Sequence, residues 1–106
     1  MKSLFLATAL LTFPTVALAD HGVKAAEEAF KQANHKMMMD MEVKPSGNAD
    51  KDFVMMMIPH HQGAIDMAKI ELQYGHDEKL KAMASGIIAA QEKEIGEMKA
   101  WLHANP

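Results

Sequence analysis

The chain has 106 residues and no cysteine, with 11 basic residues, all lysine, against 14 acidic ones, for a formal net charge of −3. Without cysteine, disulfide stapling, zinc-finger chemistry, thiol catalysis and covalent haem attachment are excluded, and an acidic balance with no basic stripe excludes nucleic acid as a partner. The length leaves room for one domain, and the 11 methionines are the compositional anomaly, since methionine is not among the commonest residues of globular domains.

Lys2, the apolar run Leu4 to Phe13 and the small-residue stretch Ala17-Leu18-Ala19 follow the order of a secretory signal peptide, with cleavage expected after Ala19. A membrane span would need about 20 apolar residues, and this run is shorter and broken by Pro14. The expected organisation is a signal peptide over residues 1–19 and an exported, periplasmic helical domain over 20–106, with no membrane span after cleavage. Cleavage would also leave His21 second from a new amino group, a pairing able to chelate Cu(II).

A first helix is predicted from about Val23 to Glu42, with Ala26, Phe30, Ala33, Met37 and Met41 on its buried line and Met38 and Met39 turned to solvent. Lys44-Pro45-Ser46-Gly47-Asn48 ends it, and Asn48 or Asp50 can cap the next. The second helix, about Asp50 to Tyr74, carries Phe53, Met56, His60, Gly63, Met67, Ile70 and Tyr74 in alternating steps of three and four, the spacing of a packed seam. Pro59 removes one backbone bond beside His60, so a kink there, or a new helix starting at Pro59, is expected. Gly75 suits a left-handed position after that helix, and Asp77 can cap a third helix over about Glu78 to His103. Its seam reads Leu80, Ala84, Ile87, Gln91, Glu94, Met98 and Trp101. An unpaired buried amide or carboxylate costs about 1–3 kcal/mol or more, so Gln91 and Glu94 should have partners.

Two short turns predict an all-α, antiparallel three-helix bundle, which a second copy would complete to four helices. Folding the chain back on these turns places His60 opposite Gln91 or Glu92, Met37 opposite Met56, and Ala33 opposite His60. One layer then collects Met37, Met56, His60, Gln91, Glu94 and Met98. Thioether sulfur is soft and favours Cu(I), while imidazole accepts Cu(I) or Cu(II). Methionine also binds without losing a proton and cannot form disulfides, which suits an oxidising compartment.

The residues therefore point to copper held by His60, Met56 and Met67 with Met37 or Met98, and to an adjacent set of His61 and Met57. Gln91 and Glu94 would orient the imidazoles, and Met38, Met39, Met41 and Met55 would capture ions or pass them on. The plain alternative is that Met37, Met41, Met67, Met83 and Met98 only fill a helical core, the reading preferred for Met83. His35, His76 and His103 are expected at the surface. Enzymatic readings fail on spacing, because no Glu-x-x-His pair, His-Glu-x-x-His, Gly-rich phosphate loop or G-x-S-x-G elbow occurs. Two further readings stay open: a metal-free interaction module with a methionine-lined protein-binding face, and a noncovalent haem protein, which would be coloured.

The run D-F-V-M-M-M-I-P-H-H-Q-G-A-I-D-M-A, Asp52 to Ala68, followed by I-I-A-A-Q-E-K-E-I-G-E-M-K-A-W-L, Ile87 to Leu102, resembles the bacterial domain-of-unknown-function family 305, to which periplasmic copper-binding proteins of the CopM type are similar. The resemblance covers about half the chain. It implies a ferritin-like antiparallel bundle, often Met-rich and exported, linked in some members to copper resistance. By matching position it marks Met56, Met57, His60, His61, Met67, Gln91, Glu94 and Met98. Met37 to Met41 lie outside the match and rest on spacing alone.

Overall fold

A computed structural model describes residues 15–106, with side chains from residue 21 onward; the apolar run of the expected signal peptide lies outside them. The described chain is three helices with no strand: α1 over Thr15–Asp40, α2 over Ala49–Tyr74 and α3 over Glu78–Ala104. α1 thus begins before the expected cleavage point and stops two residues short of its expected end, which leaves Met41 outside the helix.

The breaks follow from local chemistry. The Asn48 side chain accepts from the backbone N–H groups of Asp50 and Lys51 and caps α2, while Asp77 accepts from Leu80 N–H and caps α3; each satisfies donors that a helix start leaves orphaned. Ser46 braces the first cap, because its N–H donates to Asp52 Oδ1 at 2.9 Å and its hydroxyl accepts from Asn48 N–H. Gly47 takes the left-handed conformation, φ 86°, which costs glycine no Cβ clash. The left-handed position expected at Gly75 does not occur. Its φ of −73° and ψ of 158° are extended, and glycine is required there for space, since a Cβ would strike the Glu71 side chain and carbonyl. Pro59 is accommodated inside one continuous α2 rather than opening a new helix.

α2 is the central element, packed against both other helices, and no Cα of α1 lies within 8 Å of one in α3 among the described residues. Facing two partners gives α2 two adjacent seams. Val54, Ile58, His61, Ile65, Ala68 and Leu72 are its buried or half-buried line, again in steps of four and three, and His61 on this line reaches α3 through Glu94. The seam expected from the sequence instead meets α1: Met37 lies on Gly63, and Tyr74 shares a cavity with Val23, Ala26 and Phe30.

The α2–α3 levels fall within about a turn of the expected ones. Glu71 lies beside Leu80 and Met67 beside Met83 and Ala84, His61 meets Glu94, and Phe53 and Val54 lie beside Met98 and Trp101. The α1–α2 level differs by about two turns, with Met37 at Gly63 rather than opposite Met56 and Ala33 correspondingly moved from His60. The reason is the connection. Residues 42–46 belong to no helix and no tight reversal, so α1 meets α2 further along its length than a short turn would place it. Phe53, expected to be packed, is accordingly 61% exposed, and Met56 is exposed with it.

The core is thin: Ala33, Val54, Ile65, Ala68, Ala84 and Ile95 are buried, and among the described residues no large side chain is fully enclosed. Leu80, expected in the α3 seam, and Met83, expected in the core, are exposed instead. Both flank an open groove of about 360 Å³, with Phe30, Met67 and Ile87, that runs over α2 between α1 and α3. No described helix is long and apolar enough to cross a membrane.

Candidate metal centre

Two neighbouring imidazoles mark the site. The His60 and His61 rings lie with centroids 6.1 Å apart at 61° to one another, but successive helical residues project about 100° apart, so they serve different sides of α2. His61 is half-buried toward α3, and His60, expected in the interior seam, is exposed. The inward histidine is one residue later than the sequence suggests because α3, not α1, supplies the more extensive contact.

His61 is held at both nitrogens. Its Nδ1–H donates to the Met57 carbonyl at 2.9 Å, since a carbonyl only accepts, and Nε2 faces Glu94 Oε2. The Nδ1 bond fixes the ring so that Nε2 is the nitrogen available to a cation, and a cation arriving there would take the place of its contact with Glu94. Glu94 itself is exposed rather than interior, with its side chain 52% accessible against 15% for His61. Gln91 differs from expectation in the other direction, because its Oε1 is buried and accepts no hydrogen bond.

The thioethers distribute unevenly around this pair. Met37 of α1 seats its side chain on Gly63, one turn beyond His60, where a Cβ would overlap its Sδ and come within 2.7 Å of its Cγ. Met57, Met67 and Met98 are half-buried, as is Met41 in the connection, while Met38, Met39, Met55 and Met56 are exposed. The single layer of Met37, Met56, His60, Gln91, Glu94 and Met98 is therefore not formed. Met37 with His60 lies on the α1 side of α2, and His61 with Glu94 lies on the α3 side. Lys36, one residue before Met37, has its ammonium held above the ordinary lysine range by its hydrogen bond and charge contact with Asp40, with Asp66 of α2 adding to the effect, consistent with this α1–α2 level.

Gly63 falls within the expected seam, and its role there is to let Met37 approach. Its signal was a glycine inside an uninterrupted helical pattern among large side chains, which marks a close approach by a neighbour. His35, His76 and His103 are exposed.

The donor chemistry tests which ion fits. Among the described residues no three His, Asp or Glu side chains converge; the donors near the two imidazoles include thioether sulfurs, which are soft.

The arrangement is that of a small all-helical protein with paired imidazoles beside thioethers. The pattern of the domain of unknown function DUF305 matches residues 14–102, and the chain belongs to this family. It is also similar to an uncharacterized protein of Acanthamoeba polyphaga mimivirus, 42% identical over 53 residues, which cover 50% of this chain and 35% of the viral protein. The match thus spans about a third of that relative's length.

Proposed function

We propose that this chain is an exported, periplasmic copper-binding protein that holds mainly Cu(I) for buffering, tolerance or handover to a partner protein, and that it binds rather than catalyses. The observation that carries the reading is the pair of imidazoles 6.1 Å apart with the Met37 thioether fixed on Gly63 one turn away. A soft monovalent ion suits neutral sulfur and imidazole donors, and the resemblance to CopM-type proteins points the same way. In this reading His60, Met56, Met37 and Met67 form one donor set on the α1 side. His61, Met57 and Met98 form a second, in which the Met57 carbonyl orients the ring through Nδ1 and Glu94 lies beside the binding nitrogen. Met38, Met39, Met41 and Met55 deliver or receive ions, and Gln91 offers an unused acceptor near the second set.

The fold proposed with this function is a ferritin-like antiparallel bundle completed to four helices by a second copy. The paired levels of Glu71 with Leu80, His61 with Glu94 and Phe53 with Trp101 support the helix directions. The groove between α1 and α3, edged by exposed Phe30, Leu80 and Met83, supports a fourth helix from outside the chain.

Anaerobic titration with Cu(I) against a competing chromophoric chelator tests the metal reading. Replacing His60 and His61 together by Ala should weaken binding sharply, and an unchanged titration would remove the proposal. The exposed apolar edge of Phe53, Leu80 and Met83 favours a second reading, a metal-free interaction module, which predicts that unchanged result.

A further inference from the structure

Five thioethers, Met38, Met39, Met55, Met56 and Met83, are between 38% and 60% exposed. Methionine contributes to folding by burying its apolar chain, so folding does not account for its repeated use at these positions. Met38 and Met39 lie in the last turn of α1, Met55 and Met56 lie on the part of α2 that α1 does not reach, and Met83 edges the open groove. In a single copy of the chain each is open to solvent over part of its surface.

Met37 differs from these five. Its sulfur rests on Gly63 with no space for even a methyl group between the helices. An oxygen added to that sulfur would be both a steric intrusion and a polar group in an apolar contact. This contact is one of those that hold α1 to α2, and α1 approaches no other helix of the described chain.

We propose that the five exposed thioethers are a modification site for oxidants of the hydroperoxide class, taking up oxygen without loss of the fold, and that Met37 is the thioether whose oxidation releases α1 from α2. In each event the sulfur lone pair attacks a peroxide oxygen, the O–O bond breaks and an S–O bond forms. Hydrogen peroxide supplies the oxygen, and the proton of the transferred hydroxyl ends on the leaving oxygen to give water. Sulfur loses two electrons and the peroxide gains two, leaving methionine sulfoxide, which reductases of the sulfoxide can reverse. No metal takes part.

The test treats the full, metal-free chain with graded hydrogen peroxide, maps each sulfoxide by peptide mass spectrometry and follows thermal unfolding by circular dichroism. The five exposed methionines should oxidise several-fold faster than Met37, with the full helical amplitude of the transition kept while they do so and the α1 share of it lost as Met37 reacts. A Met37→Leu variant should keep its transition throughout, and a variant with the five exposed residues changed to Leu should consume less peroxide before Met37 is reached. Oxidation of Met37 as fast as Met38 and Met39, or a transition that fails in step with the exposed five, would overturn the proposal.

Discussion

Gly63 decides how closely α1 can approach α2. Replacing a helical glycine by alanine ordinarily gains up to about 1 kcal/mol, because glycine gives up more backbone freedom on folding. At Gly86 and Gly96 a Cβ meets nothing within 4 Å, so Gly86→Ala and Gly96→Ala should raise stability by about 0.5–1 kcal/mol. At Gly63 the same change overlaps Met37, and forced repacking costs about 1–3 kcal/mol. Gly63→Ala should therefore be neutral to destabilising in urea unfolding, and a gain like that at Gly86 would show that the α1–α2 contact is loose.

At the same scale, Ser46 holds the Asp52 carboxyl below the usual carboxylate range through hydrogen bonds from its side chain and backbone. A carboxyl whose folded value is depressed adds stability above its unfolded value and loses it as pH falls through the folded one. Asp52→Asn should thus lower stability near neutral pH and make no difference in strong acid, as paired urea melts at the two pH values would show. The His61–Glu94 link, with Glu94 half accessible, should contribute less than about 1 kcal/mol, so Glu94→Gln should shift the urea midpoint only slightly.

Among the elements, α2 is set by its cap and interrupted chemically by Pro59. Asn48→Ala removes an acceptor for two backbone donors and should cost about 1 kcal/mol, read as a lower melting temperature with the same helix content. The caps, the glycine breaks and the existence of three helices were legible in the sequence because each depends on a few adjacent residues. The seams were less so. Phe53-Met56-His60-Gly63 and Val54-Ile58-His61-Ile65 differ by a single residue and are both apolar enough to pack. Only the position of a neighbouring helix separates them, and α2 has two. The expectation of an interior His60 therefore follows the face that α1 meets and only partly covers, whereas His61, expected in the adjacent ligand set, is the one on the face that α3 covers. The two-turn difference at Met37 has a separate origin, since the expected level needs a tight turn after α1 and residues 42–46 do not make one.

For the molecule as a whole, the thin core matters more than any single contact. Six small or medium side chains are buried, while Phe30, Phe53, Leu80 and Met83 are exposed, a distribution that leaves apolar area for association. If a second copy covers the groove between α1 and α3, Leu80→Glu with Met83→Glu should shift sedimentation from dimer toward monomer without loss of helicity, whereas wild-type sedimentation as a monomer at high concentration would leave that face free.

The connection through Met41–Asn48 carries one more consequence. α1 is fastened to a single neighbour, so losing that fastening opens no gap against α3, and the remaining two helices keep every contact they already had. The protein should therefore unravel from one side in sequence, its leading helix exchanging amide protons earliest, while the α2–α3 pair survives as the last ordered remnant.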